Sequence, residues 1–426
     1  MSQAVFTLIV LVVMAVFFIL DRVPIALVSM VAAAAVVVAG IVPNTSLFSA
    51  LGGETAILLA ATMVIGSALF HTGVAEGLSR AILKLTGPSE NGILAVTVVA
   101  ATILSSICSG TSVVAMMLPI VIGLCMEAKI SVSRQMVPLS YAAAFGGNLT
   151  LIGAASNIVV NGAMEDLGVP GLGFFEIGKV GIPICIAGMV YFLTIGKKFL
   201  TPGDKADPQY LAEYTGKVAA QKAKQVSKTK GVICVIILIV VLIAMVWNND
   251  NFPMWLVAAL GAMIMVMTGC ITEDEAYKAI DMSTILVVVF MSTISNAMTA
   301  SGAGEMISNA AVGLLGENPN KFLVLLVIYI VTLLLTNIMT NTSTALLMTP
   351  LMIPIAVGLD MNTTAVGVCL CVAAASPFLT HVGSGANTLT IKPGNLNFMD
   401  FFRPGLGLSI VVMVVAMIFI PIFWPL

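Results

Sequence analysis

Runs of about 20 apolar residues follow one another along the chain, the length that crosses a bilayer as a helix. They fall at 3–20, 23–42, 55–70, 91–107, 135–163 and 177–199, then at 232–248, 253–270, 282–299, 321–336, 363–391 and 404–425. The pattern is continuous rather than alternating, which excludes a β-barrel. Only 9% of the 426 residues are charged and the mean hydropathy is +1.11, whereas soluble domains carry roughly 25% charged residues. The predicted class is an all-α polytopic membrane protein with lipid as its solvent. The net charge of −2 gives no signal for nucleic acid. The 7 cysteines lie in apolar segments, without metal-ligand spacing, and read as small buried hydrophobes.

One long polar segment interrupts the pattern, Lys197 to Gly231, with 201–230 as the linker proper. It holds eight of the chain's 18 basic residues. The positive-inside rule places it in the cytoplasm of a cytoplasmic-membrane protein. Six apolar runs precede it, which puts the N-terminus on the same side. The C-terminus then falls outside.

The two flanking halves resemble each other. "LSSICSGTSVVAMMLP" (Leu104–Pro119) aligns with "LTNIMTNTSTALLMTP" (Leu335–Pro350) at an offset of 231. "HTGVAEGLSRAILKLTG" (His71–Gly87) aligns with "ASGAGEMISNAAVGLLG" (Ala300–Gly316) at 229, pairing Glu76 with Glu305. "AAFGGNLTLIGAASN" (Ala143–Asn157) aligns with the segment from Ala373 to Asn387 at 230. The chain therefore reads as an extra helix over 1–22, a first repeat over 23–200 and a second over 231–426. Five spans and one re-entrant hairpin per copy, an odd count, force the copies into opposite orientations, the arrangement of secondary transporters. The hairpins are expected at 101–126 and 332–358.

The hairpin tips carry the candidate chemistry. Non-helical backbone at membrane depth is tolerated only inside protein or beside a wet cavity. "SSICSGTS" and "TNIMTNTST" supply hydroxyls, amides and glycine there, and each opens a new helix. Helix starts have free N–H groups and about half a positive charge, which suits an anion. Hydroxyl and carbonyl oxygens suit a hard cation. Neither tip holds an acid or a base. A second pair of breaks ends in Asn157 and Asn387. No paired carboxylates, His cluster or nucleophile–base set falls at membrane depth, so an enzyme is not expected.

On these tips and breaks the chain resembles the divalent anion–sodium symporter family, the di- and tricarboxylate and sulfate transporters of the ion transporter superfamily. The resemblance covers nearly the whole chain. It implies about 11 transmembrane helices plus two re-entrant hairpins, a scaffold carrying homodimer contacts, and a transport domain that moves as an elevator. It implies substrate contacts at Ser109, Gly110 and Thr111 in the first tip and at Thr340, Asn341 and Thr342 in the second. The coupling ion would be sodium. Its first site would use Ser105, Ser109, Gly110 and the backbone near Gly153. Its second would use Thr336, Asn341 and the backbone near Met339 and Gly383. Gly110 stands where the family signature has Asn, so one side-chain amide is missing. The expected activity is sodium-coupled symport of a C4-dicarboxylate such as succinate. The alternatives are sodium-independent exchange, and arsenite efflux or sodium–proton antiport on the same scaffold.

Overall fold

The computed structural model describes residues 2–20, 22–75, 77, 89–211, 228–247, 251–316 and 319–426. Among these residues the chain is all helical. Glu76 and residues 212–227 of the linker lie outside them.

The first half contains α1 (Gln3–Leu20), α2 (Ile25–Val38), α3 (Glu54–His71), α4 (Glu90–Ser105), α5 (Gly110–Ala128), α6 (Ser133–Gly147), α7 (Ala155–Asp166) and α8 (Gly178–Leu193). The second contains α9 (Lys228–Trp247), α10 (Met254–Met267), α11 (Glu273–Ala279), α12 (Met282–Ser301), α13 (Ala303–Leu315), α14 (Lys321–Thr336), α15 (Asn341–Gly358), α16 (Thr363–Ala374), α17 (Gly385–Gly394) and α18 (Phe398–Phe423). Among the described residues seven helices are long and apolar enough to cross a membrane, and shorter apolar helices fill in between. The outer faces remain greasy. Val232, Ile236, Val240 and Ile243 form an exposed stripe along α9, a surface that only lipid or another apolar partner satisfies.

Helix bounds recur between the halves. Ile25–Val38 and Met254–Met267 are offset by 229 at both ends. Glu90–Ser105 and Lys321–Thr336 are offset by 231 at both ends. The helices also sort by packing. α3 packs on α10, α2 on α12, and α9 on α10. A second group forms around α4, α6, α15 and α16, in which α4 packs on α6, α7 on α15, α8 on α18 and α14 on α16.

Polar contacts at the helix ends show which termini lie together. Arg134 at the start of α6 pairs with Glu90 at the start of α4, Nε to Oε1 at 2.5 Å. The same guanidinium donates to the Thr201 and Lys197 carbonyls. Lys205 pairs with Asp400 in the first turn of α18 at 2.9 Å, and Asn395 donates to its carbonyl. This is the linker end. At the opposite end Lys321, opening α14, donates to the carbonyls of Asp360 and Leu426. Trp424 there donates to Glu176. The α4–α5 pair therefore starts at the linker end and the α14–α15 pair at the other. The run at 91–107, counted in the sequence as a crossing, forms α4, which turns into α5 over Ser106–Ser109. An apolar run of that length has the same composition in either role. Only packing separates them.

Close backbone approach, rather than hydrophobic drive, holds helices together in lipid. A Cβ on Gly146 would lie 2.3 Å from the Thr102 carbonyl oxygen, so glycine there lets α6 press on α4. Tyr141 ties the halves from a fully buried position. Its hydroxyl donates to the carbonyl oxygens of Phe378 at 2.5 Å and Phe401 at 3.1 Å. Tyr141→Phe deprives those carbonyls of a donor, at a cost of about 1–3 kcal/mol. The expected result is a lower melting temperature in detergent with membrane insertion unchanged. An unaltered melting curve would show that the tie is dispensable.

Candidate functional site

Both hairpin tips open on one cavity of about 590 Å³. In the first hairpin α4 ends at Ser105, Ser106 to Ser109 turn the chain, and α5 begins at Gly110. In the second, α14 ends at Thr336 and α15 begins at Asn341. Of the residues expected at the site, Ser105, Ser109, Gly110, Thr111, Gly153, Thr340, Asn341, Thr342 and Gly383 line the cavity. Thr336 lies behind the wall, fully buried, and reaches Asn341. Met339 is buried and does not line it.

Asn157 and Asn387 take a different place. They are buried, do not line the cavity, and brace the second breaks. Asn157 Nδ2 donates to the Gly147 and Thr150 carbonyls at 2.7 and 3.2 Å. Asn387 Nδ2 donates to the Pro377 and Thr380 carbonyls at 2.8 and 3.0 Å. The two pairs of acceptors lie at the same spacing from their asparagines. The threonines of these breaks repeat as well. Thr150 Oγ1 donates to the Ser106 carbonyl and Thr380 Oγ1 to the Asn337 carbonyl. Each bond fastens a second break to the adjacent tip.

Four helices begin at the cavity: α5 at Gly110, α7 at Ala155, α15 at Asn341 and α17 at Gly385. Each presents first-turn N–H groups and the positive end of its dipole. Thr340 caps α15 through the Ser343 amide, and Ser384 caps α17 through the Ala386 amide. No side chain caps α5 or α7, so their first-turn amides have no side-chain partner at the cavity. No lysine, arginine or histidine lines it among the described residues. The one carboxylate, Asp281, is engaged as the N-cap of α12, accepting from the Ser283 and Thr284 amides. The result is an anion-attracting chamber without a fixed cation, built from backbone dipoles and hydroxyls.

The second tip also gathers oxygens. One terminal atom of the Asn341 amide sits 3.1 Å from the Ala374 carbonyl oxygen, 3.0 Å from Thr336 Oγ1 and 3.1 Å from the Gly383 carbonyl oxygen. With its nitrogen turned there the amide donates to that trio. With its oxygen there the four oxygens form a cage of the kind that holds a hard cation.

The sequence reading missed the opposite wall. Thr62, Met63, Gly66 and Ser67 of α3 line the cavity, with Asp281 and Thr284 of α12. These sit on unbroken apolar helices, where small residues read as packing.

The citrate transporter family model matches residues 15–251 and 241–425. The chain belongs to the citrate transporter family. It is a multi-pass membrane protein of a transporter family. The uncharacterized transporter YfbS of Escherichia coli K12 is 33% identical over 162 residues, 38% of this chain and 26% of YfbS. The human P protein is 33% identical over 152 residues, 33% of this chain and 18% of that protein. The matched segments thus span about a quarter or less of these two relatives. Among solved structures, the Alcanivorax borkumensis YdaH transporter superposes with a TM-score of 0.66 at 13% identity, covering 89% of this chain and 87% of YdaH. Neisseria gonorrhoeae MtrF, described as illuminating a class of antimetabolite efflux pumps, gives 0.65 at 10% identity, covering 91% and 84%. These two share the fold.

If the asparagine braces hold this family member's breaks open, Asn157→Ala and Asn387→Ala should each free two buried carbonyls, costing about 1–3 kcal/mol locally. Amide hydrogen exchange across 148–156 and 378–386 should speed up in the respective variants. Unchanged exchange would leave the bonds without a bracing role.

Proposed function

We propose that this transporter carries a small divalent anion, a C4-dicarboxylate such as succinate, coupled to sodium. The observation that supports an anion is the convergence of four helix starts on a cavity with no basic side chain. A dicarboxylate fits this geometry, with one carboxylate at the amides of Gly110–Ser112 and the other at those of Asn341 and Thr342. With the Asn341 amide oxygen turned toward Thr336, Ala374 and Gly383, the resulting cage supports sodium as the coupling ion. These readings agree with the resemblance to the divalent anion–sodium symporters, as does a homodimer held through the scaffold helices.

A second cavity supports movement of the site across the membrane. It has a volume of about 530 Å³ and is lined by Val288, Met291, Ser292, Ser295 and Asn296 of α12, with Gly53, Glu54 and Thr55. Leu59, Thr62, Met63, Gly66 and Ser67 of α3, and Thr284 of α12, line the first cavity. The two sets correspond at an offset of 229: Leu59 with Val288, Thr62 with Met291, Met63 with Ser292, Gly66 with Ser295, Ser67 with Asn296 and Thr55 with Thr284. The cavities thus occupy equivalent places on the two halves. We read α1–α3 and α9–α12 as the fixed scaffold. The hairpin group slides against it and exchanges one cavity for the other, an elevator motion. The linker is cytoplasmic by its charge, so the first cavity faces the cytoplasm. Each half contributes five crossings and one hairpin, with α1 the counterpart of α9. The N-terminus then lies opposite the linker, on the same side as the C-terminus, because the 91–107 run does not cross.

Labelled succinate uptake into proteoliposomes, with and without an inward sodium gradient, tests the proposal. Uptake should require the gradient, and Thr342→Ala or Asn341→Ala should lower it at least tenfold at unchanged expression, each removing a polar group from the site. Uptake that ignores sodium and needs internal succinate would make the protein an exchanger. Wild-type rates in both variants would remove the second tip from the site.

A further inference from the structure

The two tips are built alike but not equipped alike. At the second, the Asn341 amide meets Thr336 Oγ1 and the carbonyls of Ala374 and Gly383 within 3.1 Å. Thr336 completes that cluster by donating to Ala374 at 2.6 Å. At the first, the corresponding position is Gly110, which has no side chain to offer. Ser105, the counterpart of Thr336, does not reach the backbone of α6. Its hydroxyl turns to the Cys108 carbonyl at 3.5 Å. The first tip therefore has neither a side-chain amide nor the hydroxyl bridge to the neighbouring helix that Thr336 makes at the second. A cation needs several converging oxygens to replace its water.

We propose that this carrier binds one coupling cation, at the second tip alone, and that Gly110 is the residue that sets this number. The inference rests on the sodium-coupled reading above and fixes its stoichiometry. It has an electrical consequence. A dicarboxylate with two negative charges and a single sodium ion crosses with one net negative charge. No cavity-lining side chain of the hairpin group offsets it, since the only charged lining residue described is Asp281, on the scaffold. An inside-negative membrane potential acts on each translocated charge. It opposes succinate entry and favours exit.

The first tip has room for a Cβ, and Gly110 lines the open cavity. A Cβ on Gly110 would meet Ser105 Oγ at 3.4 Å and the Cβ and carbonyl oxygen of Ala143 at 3.5 Å, ordinary contact distances. Gly110→Asn is therefore the informative variant.

The experiment is sodium-dependent succinate uptake in proteoliposomes, with a potassium diffusion potential set by valinomycin. For the native protein the sodium dependence should show a coefficient of about one, matching one site. An inside-negative potential should slow uptake several-fold. In Gly110→Asn the coefficient should rise toward two and the potential should lose its effect, because two sodium ions neutralise the dicarboxylate. A native coefficient of two or more, with uptake indifferent to the potential or accelerated by it, overturns the inference while leaving sodium coupling intact. Native uptake with no sodium dependence removes the coupling itself and the inference with it. The native measurements stand alone, so the inference remains falsifiable if Gly110→Asn fails to fold.

Discussion

Every polar backbone group placed at membrane depth needs a partner, because lipid offers none. The rest of this structure follows from that constraint. Four helices stop and four begin inside the protein, and each interruption leaves amides and carbonyls exposed to their surroundings. Some are closed internally: Asn157 and Asn387 cover the carbonyls of their breaks, and Thr150 and Thr380 fasten the breaks to the tips. The remainder include the first amides of α5 and α7, two helices that begin at the cavity without a side-chain cap. Free amides of this kind are groups that a carboxylate can satisfy. Binding and fold are thus two parts of one hydrogen-bond account.

This arrangement explains how an anion-handling cavity does without lysine or arginine. A fixed cation would hold a carboxylate tightly on both sides of the membrane, which suits a binding protein better than a carrier. Dipoles and hydroxyls attract more weakly. Under the proposed sodium coupling, a mobile cation at the Asn341 cluster would add its charge only when present, and anion and cation would favour each other's binding through the shared cavity. The Tyr141 and Tyr191 hydroxyls, both bonded to carbonyls of the opposite half, keep the two sets of breaks in register. The tips can then act as one unit.

Much of this was legible in the residues. The tips around Ser109–Thr111 and Thr340–Thr342 were marked by repetition: hydroxyls, glycine and a following proline in an otherwise apolar chain have one economical explanation. Asn157 and Asn387 were found for the same reason, but their roles were not, since a buried amide can face a ligand or a carbonyl and sequence does not say which. The wall formed by Thr62, Met63, Gly66 and Ser67 was silent, because small residues on an unbroken helix serve packing equally well. Asp281 was hidden as an ordinary helix cap. The Ala374 carbonyl had no signal at all, being backbone. Whether the run at 91–107 crosses or turns back was not legible, because hydropathy measures what surrounds a segment and not its path.

The most direct test of an anion held by helix starts is a structure of the protein with a bromine-labelled succinate, located by anomalous scattering. The account predicts density in the cavity between the tips, with carboxylate oxygens within hydrogen-bond distance of the Thr111 and Thr342 amides and no basic side chain nearby. Density seated elsewhere, with the amides of α5 and α15 facing only water, would contradict it.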